Sequence, residues 1–117
     1  MNTTGPTLDR IPARTLRRRR KALVAKLPPL ESLLRGSLIE RYKPCGYAGC
    51  RCQRGRGHGP KYYLSIGQTG KRPRMDYVPQ AYQAEAQEYL ENYRQVQQIL
   101  KQICDINCEL LRRRESL

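Results

Sequence analysis

The sequence predicts an α+β fold: a small three-stranded antiparallel sheet with a Cys/His-rich loop, a short N-terminal helix and one long C-terminal helix. Three observations lead there. Leu16, Leu23, Val24 and Leu27 recur at helical spacing before Pro28-Pro29, which cannot donate the next helical hydrogen bonds. Between Ser37 and Val78 the pattern alternates, as in half-buried strands. From Gln80 to Arg114 there is neither Gly nor Pro, and Gln, Glu, Ala and Leu dominate, a composition of strong helix formers. Four segments follow from these patterns: a flexible arm over 1–13, a basic helical segment over 14–36, a β module over 37–79 and a long helix over 80–117.

The arm contains Gly5, Pro6 and Pro12 and little apolar content, so it is expected to be mobile. The helix behind it carries Arg14 and the run Arg17-Arg18-Arg19-Arg20-Lys21 and should end near Lys26. Leu30, Leu33 and Leu34, closed by Gly36, suggest one or two further helical turns with a glycine stop. Next come three strand signals, Ser37 to Tyr42, Lys61 to Ile66 and Arg72 to Val78, with Gly67-Gln68-Thr69-Gly70 as a hairpin turn. Three short strands need a helix over one face to be stable.

In the long helix, Ala86, Tyr89, Tyr93, Val96, Leu100, Ile103, Asn107 and Leu110 step by three and four, as a heptad seam does. About 35 residues at 1.5 Å rise span on the order of 50 Å, more than so small a domain needs. A homodimer is therefore expected, with Asn107 placed to fix register and two-strandedness. The alternative is that this stripe packs on its own chain. Cys104 and Cys108 lie one turn apart and off the seam.

Charge narrows the partners. Lys and Arg number 23 against 10 Asp and Glu, for a net charge of +13, with only 38% apolar residues. The surplus is uneven: residues 1–36 and 37–79 each carry +7, while residues 80–117 carry −1. Such a balance favours a polyanionic partner, nucleic acid first, an anionic membrane surface second and an acidic protein third. No stretch is apolar for long enough to span a membrane. Residues 1–20 lack the pattern of a secretory signal, which makes the cytoplasm the expected compartment.

Between the first two strand signals, Cys45, Cys50, Cys52 and His58 fall in a C-x4-C-x-C-x5-H spacing among five glycines. A Cys3His set suits a closed, structural zinc site, and such a site supplies folding energy to a chain poor in apolar residues. Two alternatives stand beside it: disulfides, disfavoured by the odd total of five Cys, and a metal-free glycine-rich knot with buried thiols. Glu40 and Asp76 are the only carboxylates in residues 37–79, so no general base accompanies the thiols and a non-catalytic protein is expected.

Arg51, Arg54 and Arg56 alternate through the same loop, followed by Lys61, Tyr62 and Tyr63, and Lys71, Arg72 and Arg74 extend the positive field. Guanidiniums neutralise phosphates and tyrosine rings stack on bases. The candidate contact set is thus Arg17 to Lys21 together with Arg51, Arg54, Arg56, Lys61, Tyr62, Lys71, Arg72 and Arg74. For Tyr62 and Tyr63 the plain alternative is one ring buried and one wet on the two faces of a strand.

The run Arg35-Gly36-Ser37-Leu38-Ile39-Glu40-Arg41, with Cys45-Gly46, Cys50-Arg51-Cys52, Gly57-His58-Gly59-Pro60 and Tyr62-Tyr63-Leu64-Ser65, resembles a family of small uncharacterised bacterial proteins often met beside transposases and other mobile elements. The resemblance covers about Arg35 to Leu110, leaving out the basic arm, and implies a mobile-element setting with no activity attached. The expected function is a non-catalytic nucleic-acid-binding accessory protein, DNA being favoured over RNA. The alternative is a protein-interaction module that docks on a transposase, a recombinase or a nuclease.

Overall fold

The computed structural model describes residues 7–43 and 58–117. Its elements are helix α1 (Ala13–Ala25), strands β1 (Ser37–Lys43), β2 (His58–Gln68) and β3 (Lys71–Val78), a 3-10 turn at Gln80–Tyr82 and helix α2 (Gln83–Arg112). The α+β architecture is the one the sequence predicts. Two compact units form, one from residues 33–93 and one from residues 1–32 with 94–117.

In the sheet unit the strand order is β1-β2-β3, antiparallel throughout. Gln68 pairs with Lys71, so the turn narrows to Thr69-Gly70, with Gly70 at φ +71°. The register slips between Ile66 and Gln68, where Arg72 and Pro73 of β3 stand against the single residue Gly67 of β2, the two-against-one count of a bulge. At the other end Lys43 pairs with His58, so the sheet closes the base of the segment 44–57. Leu64, Val78, Ala86 and Leu90 make the core, with Leu34, Leu38, Tyr62 and Ile66 packed against it. The start of α2 therefore covers one face of the sheet.

The helical turns expected at Leu30 to Leu34 do not form. One turn closes through Ser32 N–H to the Pro29 carbonyl at 3.0 Å, and then the Leu34 N–H donates to the Tyr89 carbonyl at 3.2 Å. That bond to another element removes the donor a local helix would use. Gly36, at φ +130°, starts β1, and a Cβ there would lie 2.5 Å from the Ser65 carbonyl oxygen. Only glycine fits both the backbone angle and the close approach.

The helical unit is centred on Leu16, Ile106 and Leu110, with Leu8, Ile11, Ala13 and Leu23 against them. The stretch from Leu8 to Pro12, expected to be mobile, is docked here: Ile11 N–H donates to the Leu8 carbonyl at 3.0 Å, and Arg113 Nη2 holds the same carbonyl at 2.8 Å. α2 ends in a Schellman turn. Arg114 takes φ +59°, its N–H bonds to the Leu111 carbonyl and the Glu115 N–H to the Leu110 carbonyl, both at 2.9 Å.

The inward residues of α2 differ from the expected seam. Ala86, Val96 and Leu110 are buried as expected, but Leu90, Ile99 and Ile106 join them while Leu100 stays 51% exposed. Ala86 and Leu90 serve the core of the sheet unit, and Ile106 and Leu110 that of the helical unit. Tyr89, Tyr93, Ile103 and Asn107 are half-buried.

Candidate functional site

The candidate surface consists of the basic residues that the fold leaves without a partner. On α1 a turn of 3.6 residues splits the arginine run between sides. Arg17 Nη2 reaches Glu115 Oε1 at 3.3 Å and the Ser116 carbonyl at 2.9 Å. Arg20 donates to Asn107 Oδ1 at 2.7 Å and to the Leu117 carbonyl at 3.0 Å. Asn107, expected to pair with its symmetry mate, is thus engaged within its own chain. Arg14, Arg18, Arg19 and Lys21 are exposed, with no hydrogen bond or ion pair to any described residue.

On the sheet the period is two, and opposite residues share a face. Leu38, Glu40, Tyr62, Leu64, Asp76 and Val78 point to the α2 side. Tyr62, expected to contact nucleic acid, is on this covered side: its ring packs on the core and its hydroxyl donates to Glu40 Oε2 at 3.1 Å. That carboxylate raises the Tyr62 pKa above its ordinary value, chiefly through the hydrogen bond. Arg74 is also engaged, its Nε and Nη2 donating to Asp76 Oδ2 at 3.1 and 2.8 Å, and the pairing raises its pKa further. Arg72 is exposed on the same strand, without a described partner.

The opposite face carries Arg41, Lys61, Tyr63, Met75 and Tyr77. Arg41 pairs directly across from Lys61, and Tyr63 from Tyr77. The two rings meet edge to face, with centroids 5.7 Å apart and planes at 63°. Tyr77 remains 55% exposed. The residue reading missed Tyr77 and Arg41. Their signal was present: once Leu64 and Val78 are assigned inward, alternation sends Tyr63, Tyr77, Arg41 and Lys61 outward together.

The remaining candidates are partly out of view. Cys45, Cys50, Cys52, Arg51, Arg54 and Arg56 lie outside the described residues, and His58 is described only as the first residue of β2. Among the described residues no group of three or more metal-binding side chains occurs. Cys104 and Cys108 are free thiols, both exposed. No helix of the described residues is long and apolar enough to cross a membrane.

Comparison with known proteins matches residues 13–88 to the model of one family, described as a domain of unknown function. The match starts at α1, which the resemblance read from the residues had left outside, and stops at Glu88, in the early part of α2. No curated protein and no solved structure matches the chain.

Proposed function

The chain belongs to that family, DUF6788, and from this premise we propose that it is a non-catalytic nucleic-acid-binding accessory protein, with DNA as its favoured ligand. One observation carries the reading. The described ion pairs, Arg17 with Glu115, Arg74 with Asp76, Lys101 with Asp105, and Arg112 and Arg113 with Glu109, leave Arg14, Arg18, Arg19 and Lys21 on α1 and Arg41, Lys61, Lys71 and Arg72 on the sheet uncompensated. Exposed cations without carboxylate partners are what phosphate binding needs, because each phosphate contact releases condensed counterions.

The Cys/His loop belongs to the same reading as a zinc staple. Cys45, Cys50, Cys52 and His58 are its ligands, and the Lys43–His58 pairing supports it by bringing the two ends of the intervening segment together. A mobile-element setting rests on the motif resemblance alone.

Titrating the full chain with duplex and single-stranded DNA across salt concentrations tests the function. Affinity should fall steeply with salt, by about one unit of log–log slope per phosphate contact. Changing Arg18, Arg19 and Lys21 to Gln together should flatten that slope, and absence of binding at low salt sinks the proposal. Metal analysis of protein purified without chelator tests the staple: about one zinc per chain is expected, lost in Cys50→Ser.

A second reading, docking on a transposase, recombinase or nuclease, or pairing with a second copy, is favoured by a different observation. Leu100, Cys104, Cys108 and Leu111 lie on one side of α2 by helical spacing and are all exposed. If this stripe is an interface, Leu100→Glu with Leu111→Glu abolishes self-association or partner capture and leaves DNA affinity unchanged.

A further inference from the structure

The two faces of the sheet differ in the sign of their charge. Both acidic residues of the described strand positions, Glu40 and Asp76, belong to the side covered by α2, where each has a partner in Tyr62 or Arg74. Among the described residues of the strands, the open side carries no carboxylate. Instead it sets Arg41 directly opposite Lys61, both exposed and neither bonded to a described residue. Like charges facing across two strands are unfavourable by themselves, and an anion lying over the pair converts that repulsion into attraction.

Next to this pair along the strands stands the Tyr63–Tyr77 pair. Residues two apart on a strand face are separated by about 6.6 Å, so the cations and the rings form one continuous patch. The Tyr63 ring braces Tyr77, their centroids 5.7 Å apart, and a braced ring loses little freedom when a ligand settles on it. A ring 55% exposed on the edge strand beside the Arg41–Lys61 pair suits a ligand that combines a flat π surface with phosphate. A duplex offers phosphates but keeps its base faces stacked on one another, whereas an unpaired strand offers both.

We propose that the open face of the sheet binds single-stranded DNA, an unpaired base stacking on Tyr77 while Arg41 and Lys61 contact the flanking phosphates. The inference rests on the nucleic-acid reading above and adds to it the strand state and the residues that recognise it.

The chain has no Trp and eight Tyr, so Tyr77→Trp introduces a single indole at the proposed stacking position. The full-length variant is titrated with a dT oligomer of about 12 nucleotides and with an abasic strand of equal length and charge. Indole emission should be quenched by the dT oligomer and not by the abasic strand. Tyr77→Ala should weaken dT binding about tenfold and leave abasic binding unchanged. Arg41→Gln with Lys61→Gln should weaken both and lower the salt slope by about 1.4. Tyr82→Ala removes another exposed tyrosine, 59% exposed and outside the sheet, and should bind as the parent does. Far-ultraviolet circular dichroism confirms that each variant is folded.

If the parent binds dT and Tyr77→Ala binds it equally well, or if Tyr82→Ala loses as much, the open face is not the site, although the nucleic-acid reading stands. Tighter binding to duplex DNA overturns the strand state, and tighter binding to rU than to dT overturns the choice of DNA. A parent that binds none of these at low salt overturns both readings.

Discussion

The helical unit and the sheet unit sort their basic residues by different rules. On α1 the sorting follows a period of 3.6, so Arg17 and Arg20 bond to Glu115 and Asn107 while their neighbours Arg18 and Arg19 face solvent. On the sheet it follows a period of two, so Arg74 is held by Asp76 while Arg41 and Lys61 stand on the other face. Net charge therefore overstates the surface open to a ligand. What counts is which side of each element a cation occupies, and the carboxylates already waiting on that side.

The comparison can be broken first at its two anchors. Leu16 is fully buried beside Ile106 and Leu110, and Leu16→Ala should cost about 4 kcal/mol in denaturant unfolding, with amide protection lost first in α1 and in α2 beyond Arg94. In the sheet unit the matching anchor is Gly36. Gly36→Ala forces a Cβ against the Ser65 carbonyl at an angle L residues avoid, and should cost about 3 kcal/mol, read as loss of protection in β1 and β2.

The rule for α1 is sharpened by comparing neighbours. Arg20→Ala removes a half-buried bond to Asn107 and should lower stability by about 1.5 kcal/mol, whereas Arg18→Ala should stay within about 0.5 kcal/mol and instead weaken nucleic-acid binding. Equal stability losses would refute the partition. A smaller effect runs in the opposite direction: Arg114 sits at φ +59° in the Schellman turn, and Arg114→Gly should raise stability by about 1 kcal/mol, visible as a higher Tm.

The mildest test is acid. Arg112 and Arg113 hydrogen-bond to Glu109 and hold its carboxyl below the usual carboxylate range. Because the folded pKa is the lower one, this contribution is present above the unfolded value and is lost as pH falls through the folded value. The stability of the parent should drop more steeply than that of Glu109→Gln as pH falls below about 4.3; parallel curves would show that the pairing contributes nothing.

Much of this fold was legible because its signals are local. Pro28-Pro29 ends α1, alternation marks three strands, and the run without Gly or Pro gives the long helix. Signals that depend on distant partners were misread. The turns at Leu30 to Leu34 yield to a bond from Leu34 to Tyr89, and the stripe on α2, inward at every expected position but Leu100, packs within its own chain at Ala86 and Leu110. The surface was half legible: a composition count finds the basic residues, but only register separates Tyr62 on the covered side from Tyr63 and Tyr77 on the open one. The docking of Leu8 and Ile11 depends on Leu16, Ile106 and Leu110, which no local pattern links to them.

The pairing of Lys43 with His58 has a thermodynamic consequence for the segment it encloses. Bringing the ends of a chain together costs entropy that grows with the logarithm of its length, and here the strands meet that cost. Groups within residues 44–57 that bound one ligand together with His58 would do so with that closure cost already met. Any ligand they share is thereby linked to the sheet: binding strengthens β1–β2 pairing, and a weakened β1–β2 pair loosens the ligand by the same free energy.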